Sequence, residues 1–177
     1  MNKSTSPGMI ALVAVLIALT VVLTKVVQIP IPASQGYWNL SDAATSFAAF
    51  AFGPLVGFAA GGIGTAIADL LSGPYAIWAP ISLFAHGLQG AVIGMLARRT
   101  RVIPQLIFAY AAGALVMVAS YLLGGTALKG WEAALAEVPF NALQAIVGGV
   151  VGIPLYLAVR RAYPAIDRMG RRQTWTE

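Results

Sequence analysis

No cysteine occurs in the chain, and histidine occurs once, at position 86. Disulfides, thiolate metal centres, cysteine nucleophiles and sites built from several histidines are therefore excluded. The patterns H-E-x-x-H, G-x-S-x-G and G-x-x-x-x-G-K-[ST] are missing too. Nothing marks a zinc protease, a serine hydrolase or a chain that hydrolyses ATP itself. Charge is scarce: only 10% of the 177 residues are Asp, Glu, Lys or Arg, where a soluble domain has about 25%. No internal repeat stands out, so an inverted-repeat transporter is not supported. What is abundant is apolar surface. Hydrophobic residues make up 59% of the chain, and the mean hydropathy is +0.80. This composition defines an integral membrane protein with several spans.

The few cations are unevenly placed. The formal net charge is +5, and nine of the 11 Lys and Arg fall in three places. These are Lys3; Arg98, Arg99 and Arg101; and Arg160, Arg161, Arg168, Arg171 and Arg172. Positive residues collect on the cytoplasmic side of a membrane, so topology accounts for the excess and a nucleic-acid partner is not expected. The apolar run that follows MNKSTSPGM lasts about 20 residues with no small-residue cleavage site, which reads as a retained helix and not as a signal peptide.

Hydrophobic runs and turn signals predict six helices, over 9–29, 41–52, 55–71, 80–97, 103–123 and 131–160, with a basic tail at 161–177. The fold class is all-α: one six-helix membrane domain with both termini cytoplasmic. The stretch 73–101 anchors this scheme. Its left end is an aromatic loop with Tyr75 and Trp78, and its right end carries Arg98, Arg99 and Arg101. Between them, 81–97 holds no acid and no permanent base, close to the shortest helix that crosses the hydrocarbon core. Gly87, Gly90, Ala91 and Gly94 share one face, and small residues let helices approach closely. His86 and Gln89 lie on the next face and turn toward an interior, because polar groups in a bilayer need partners or a cavity.

A second small-residue seam runs along Gly57, Gly61, Gly64 and Ala68. In the first helix Ala11, Ala14 and Ala18 lie together; they either pack within the chain or dock another membrane subunit. Lys25 snorkels at the outer end. The second helix, capped by Ser41 or Asp42, is short for a span and so is tilted or shielded by neighbours. Asp69 reads as structural, bonding the loop 72–80. In the fifth helix Tyr110, Met117 and Tyr121 share a face, and Gly124-Gly125-Thr126 ends it, leaving Lys129, Trp131 and Glu132 outside.

The sixth helix carries the strongest chemical signal. Glu137, Asn141, Gln144 and Gly148 follow i, i+4, i+7, i+11, in one row within about 40°. Pro139 removes a helix hydrogen bond beside them. Such a row is either polar glue between helices, at about 1 kcal/mol per contact, or a hydrogen-bonding wall for a polar ligand. The outer loops 30–40, 72–80 and 124–132 each hold an aromatic group. Tyr37, Trp38 and Asn39 of the first are either an interfacial belt or a lid. Together these features predict an outward pocket with aromatic walls, suited to a flat, polar heterocycle. No nucleophile or metal site stands beside His86 and Glu137, so neither enzyme activity nor a cofactor is expected. Trp175 is incidental.

Four stretches carry a family resemblance: Ala14-x-x-x-Ala18, Asn39-Leu40-Ser41-Asp42, Ala68-Asp69-Leu70-Leu71-Ser72-Gly73 and Glu137-Val138-Pro139-Phe140-Asn141-Ala142-Leu143-Gln144. With the chain's size and six-helix pattern, they make it resemble, over nearly its whole length, the substrate-binding S component of an energy-coupling-factor (ECF) vitamin transporter. The resemblance implies a capture subunit in a prokaryotic plasma membrane. It implies as partners a transmembrane coupling protein, met by the first-helix alanines, and two cytoplasmic ATPases. The S component topples in the membrane to deliver its ligand. The first loop acts as a lid, which favours Tyr37, Trp38 and Asn39. The ligand sits between the outer ends of helices four to six, which favours His86, Gln89, Tyr121, Trp131, Asn141 and Gln144. Tyr75, Trp78 and Glu137 complete the candidate binding set. The sixth-helix stretch resembles members that take hydroxymethylpyrimidine, pyridoxine-type or thiamine-related compounds first and riboflavin second. The alternatives are a stand-alone facilitator or ion-coupled carrier, and a non-transport membrane scaffold.

Overall fold

The computed structural model describes residues 7–97, 100–167 and 169. Lys3, Arg98, Arg99, Arg168, Arg171, Arg172 and Trp175 lie outside the described residues. The elements run α1 Pro7–Val26, β1 Ile29–Ile31, β2 Gly36–Trp38 and α2 Ser41–Phe52. α3 Pro54–Phe58 then continues through a π-turn at Ala59–Ile63 into α4 Gly64–Leu70. A 3-10 turn at Gly73–Trp78 leads into α5 Ala79–Ala97, followed by α6 Ile103–Lys129, α7 Trp131–Ala162 and a last 3-10 turn at Pro164–Asp167. The stretches Pro7–Val26, Gly73–Ala97, Ile103–Lys129 and Trp131–Ala162 are each long and apolar enough to cross a membrane, and Pro54–Leu70 is a shorter apolar helix.

The packing is inverted relative to a water-soluble bundle. Ile10, Val15, Val22, Ile107, Leu115, Ile146 and Val150 are exposed, while Asp42, Asp69, His86, Gln89, Glu137, Asn141 and Gln144 are buried. Apolar solvent outside makes this the low-energy arrangement, since a polar group facing lipid would lose its hydrogen bonds. α2 and α5 form the centre. α5 packs against α2, α3, α4 and α6, and α2 also touches α1 and α7. α2 is short because it is shielded: every residue in it except Phe47 is buried.

Glycine sets how close the central backbones come. A Cβ on Gly57 would lie 2.6 Å from the Gly90 carbonyl, and one on Gly61 would lie 2.6 Å from the His86 carbonyl. Gly87 and Gly94 are filled in the same way by the Phe58 ring and the Gly53–Pro54 backbone. The small-residue faces read from the sequence are thus one interface, with α5 laid directly on the Pro54–Leu70 stretch. This contact fixes the height and rotation at which α5 presents His86.

Several predicted boundaries are corrected. The first helix stops at Val26, not 29, because Ile29 pairs with Trp38 and Ile31 with Gly36 in an antiparallel hairpin. Pro30 and Pro32 favour that extended backbone. The predicted loop 30–40 is therefore mostly a hairpin, turned by Gln35 at φ 59°. The third helix is not uniform but carries the π-turn, where Thr65 Oγ1 donates to the Gly61 carbonyl at 2.8 Å. Gly124-Gly125-Thr126 does not end the fifth helix. Gly124 packs on Ile81 and Gly125 on Ala134, and α6 ends at Gly130, whose φ of 91° breaks the helix. The third outer loop shrinks accordingly to a single residue between α6 and α7. Lys25 does not simply snorkel: its Nζ donates to Ser72 Oγ at 2.8 Å. Packing of Ala11, Ala14 and Ala18 within the chain is also excluded, since all three are exposed. The buried face of α1 is Leu16, Thr20 and Thr24 instead.

Gly57→Val drives a branched side chain into the α5 backbone and is expected to cost about 1–3 kcal/mol. Thermal unfolding in detergent should show a lowered midpoint, with Leu55→Val, at an 85% exposed neighbour, as the unaffected control.

Candidate functional site

Asp42 stands at the centre of the buried polar groups. It is 0% exposed and sits in the first turn of α2. The expectation that Ser41 or Asp42 caps α2 is corrected: neither side chain makes a cap bond. The Asp42 carboxylate is turned inward. His86 Nδ1 lies 3.1 Å from its Oδ1, and Gln89 Nε2 donates to Oδ2 at 3.1 Å. Gln144 Nε2 reaches Oδ1 at 3.4 Å, and Tyr110 Oη reaches Oδ2 at 3.5 Å. α2, α5, α6 and α7 are tied together at one carboxylate.

The network fixes orientations. Gln89 gives its amide hydrogens to Asp42, so its Oε1 faces His86 Nδ1, at 3.0 Å. Two oxygens therefore face Nδ1, which requires the proton there. The ring lines a cavity. Gln144 is fixed likewise: its Oε1 accepts from the Asn39 backbone N–H at 3.0 Å.

About 370 Å³ of empty space lies in and around this cavity, counting its open mouth. Trp78 and Tyr121 form aromatic walls with His86, whose ring meets Tyr121 edge-on at 5.6 Å between centroids. Tyr121 Oη and Ser82 Oγ lie 2.7 Å apart. Glu137, Asn141 and Gln144 of α7 line it together with Thr65 and Asp69 of α4. Asp69 Oδ2 and Asn141 Nδ2 are buried with no partner among the described residues.

The hairpin roofs this cavity. Tyr37 Oη donates to Asp69 Oδ1 at 2.5 Å, and Ser34 Oγ donates to Glu137 Oε1 at 2.5 Å. Trp78 Nε1 donates to the Gln35 carbonyl at 3.2 Å, and Lys129 Nζ to Gln35 Oε1 at 2.8 Å. Gly36 is required by close approach: a Cβ there would overlap the Glu137 carboxylate. Burial, with the Asp69 carboxylate beside it, pushes the Tyr37 hydroxyl above its ordinary range. The phenol therefore stays a donor at all physiological pH. Its contribution is complete below about pH 10, its free value, and is lost only as pH rises further.

Of the candidate residues, Asn39, Trp78, His86, Tyr121, Glu137, Asn141 and Gln144 line the cavity. Gln89 lies beneath it, holding Asp42 and His86. Tyr75 stands outside the lining and packs on Tyr37, with ring centroids 4.5 Å apart. Trp38 is half-buried behind the hairpin and is not in the lining. Trp131 is 57% exposed, and the structure does not bring it to the cavity. Its position follows from the longer α6, which makes Trp131 the first residue of α7. Asp69 is corrected as well: its carboxylate holds Tyr37 and faces the cavity, and only its backbone carbonyl engages the loop, through Ser72 N–H. The residues that sequence reasoning left out are Asp42, Gly36, Thr65 and Ser82. Asp42 carried a signal, a carboxylate in an otherwise uncharged apolar helix, but its usual role as a cap masked it.

A membrane-embedded helical bundle with an enclosed polar cavity under a hairpin roof defines a small-molecule binding protein of the bilayer. Residues 4–161 match the sequence model of the family described as "ECF-type riboflavin transporter, S component". The chain belongs to this family of substrate-binding, non-enzymatic transporter subunits, which partner with an ECF transporter module. It is 37% identical over 147 residues to an uncharacterised protein of Pyrococcus woesei, covering 82% of this chain and 98% of the relative. It is 32% identical over 162 residues to the thiamine precursor transporter HmpT of Lactococcus lactis subsp. cremoris, covering 91% and 89%. A UPF0397 protein of Streptococcus pneumoniae is 35% identical over 82 residues, covering 46% and 44%.

Removing Asp42 strands several buried groups at once. Asp42→Ala is expected to cost about 3–5 kcal/mol, the scale of breaking a buried charge network. Asp69→Asn keeps an oxygen for Tyr37 and should cost far less. Chemical or thermal unfolding in detergent compares the two.

Proposed function

We propose that this chain captures a small water-soluble vitamin or vitamin precursor, with an amino-substituted pyrimidine or related pyridine ring first and riboflavin second. The observation that carries this reading is the set of polar atoms left without partners at the cavity. Asp69 Oδ2 is an acceptor, and Asn141 Nδ2 is a donor. Buried polar groups are normally satisfied, so a ligand that fits must bring a donor for the first and an acceptor for the second. An aminopyrimidine edge has both, an N–H donor beside a ring-nitrogen acceptor. A flavin's uracil-like edge, two carbonyls flanking one N–H, carries more acceptors than donors. The relative described as a thiamine precursor transporter supports the first choice, and the family's description supports the second.

In this reading α2 and the α3–α4 stretch join the four long helices as six spans, with both termini in the cytoplasm of a prokaryotic cell. The hairpin is the outer lid, held by Tyr37–Asp69 and Ser34–Glu137. The exposed Ala11, Ala14 and Ala18 meet a coupling protein, and two ATPases supply the work that this chain has no motif to perform. Small side chains on that face suit sliding of one helix past another. No cofactor takes part.

Two experiments test this. Tryptophan fluorescence of the purified chain should be quenched saturably by hydroxymethylpyrimidine, and less or not at all by riboflavin, biotin or pantothenate. Asn141→Leu should weaken that binding by about tenfold, the scale of one lost polar contact. A response to riboflavin alone reverses the order of substrates, and no response to any ring rejects the capture reading. Separately, Ala14→Leu with Ala18→Leu should abolish ATP-driven uptake in the assembled transporter and leave binding unchanged. Lost binding would show that this face supports the fold and is not a docking face.

A further inference from the structure

The side of the bundle away from α1 carries a second concavity. It runs between α6 and α7, has a volume of about 740 Å³ and is open laterally. Its floor is small, with Ala111 and Ala114 on α6 facing Ala142, Ala145 and Gly149 on α7. Its depth depends on Gly149, where a Cβ would lie 2.8 Å from the Tyr110 ring. Tyr110 brings the one polar side chain in the lining, and its hydroxyl is turned away, donating to the Ala145 carbonyl at 2.6 Å. Nothing in the groove can satisfy a polar ligand, so its occupant there is hydrocarbon.

The two ends of the groove differ. On α6 it begins at Ile103 and reaches Val118, about 22 Å at 1.5 Å per residue. On α7 the matching end is Ile153 and Pro154. Beyond that end several cations gather, with one acid, Asp167, in the last 3-10 turn. Arg101 precedes Ile103 by two residues and is exposed. Arg161 is exposed and follows Pro154 by seven residues, two turns on, which returns it to the groove face. Arg160 closes the corner by donating to the Thr100 carbonyl at 3.0 Å, so the start of α6 and the end of α7 are joined there. An apolar channel that opens onto a cluster of cations at a membrane surface matches a molecule with an acyl chain and an anionic head.

We propose that this groove binds one anionic phospholipid, with an acyl chain along Ala111, Ala114 and Gly149 and its phosphate at Arg161 and Arg101. The site is separate from the vitamin cavity, on the far side of Tyr110 from Asp42. The lipid would brace α6 against α7, the pair that carries Tyr121 and the polar row.

The test uses the full-length chain reconstituted in vesicles of equal phosphatidylglycerol and phosphatidylcholine, then released for native mass spectrometry. The wild type should retain one phosphatidylglycerol in preference to phosphatidylcholine. Arg161→Gln should reduce that preference by about fivefold, the contribution of one cation near an anionic head. Ala111→Phe, at an exposed position that does not enter the interior, should remove retention of either lipid. Equal retention of the two lipids by the wild type overturns the proposal, as does full retention in Ala111→Phe. A photocrosslinker placed at Leu115 distinguishes the remaining occupant: a lipid adduct in native membranes supports the site, and a protein adduct overturns it.

Discussion

One buried carboxylate organises the interior. Asp42 lies where no water can solvate it, so its charge must be met by the protein. His86, Gln89, Gln144 and Tyr110 meet it from three other helices. In a low-dielectric setting such a network is stronger than in water, and costlier to break. The result is geometric as much as energetic. Because Asp42 accepts from both amides, Gln89 and Gln144 can face only one way. His86 is then held with its ring facing the cavity. The orientation of the cavity wall is thus set one layer below it.

That layer needs α5 in register. The register comes from close contact of backbones, Gly57 on Gly90 and Gly61 on His86, which larger side chains would prevent. In a bilayer, where lipid tails compete equally for apolar side chains, close van der Waals fit and hydrogen bonds hold helices together. Glycine seams and the Asp42 network are therefore complementary. The first sets distance and the second sets rotation.

The roof is built differently. The hairpin is short, and two strands of three residues are marginal by themselves. It is held by side-chain bonds to α4, α6 and α7 and to the turn before α5. The floor is held instead by close backbone contact and the buried Asp42 network.

The sequence by itself determined the all-α membrane class, the places of the long apolar helices, and the polar row of α7. Scarce charge, long apolar runs and clustered arginines are properties of composition and order, and they need no tertiary contact to be read. It also placed the glycine faces, because helical periodicity is local. What only the tertiary structure decided are the roles that depend on partners in other helices. Asp42 has the spacing of a cap and becomes the hub, because His86 and Gln89 arrive from 44 and 47 residues away. Ala14 and Ala18 have the spacing of an internal seam but face outward, because Thr20 and Leu16 take the contact with the bundle. Gly124 and Gly125 have the look of a stop but continue α6, because Ile81 and Ala134 pack where side chains would be. Trp131 has the chemistry of a binding residue but lies at a helix start turned outward. In each case the local pattern allows two outcomes, and a contact distant in sequence selects between them.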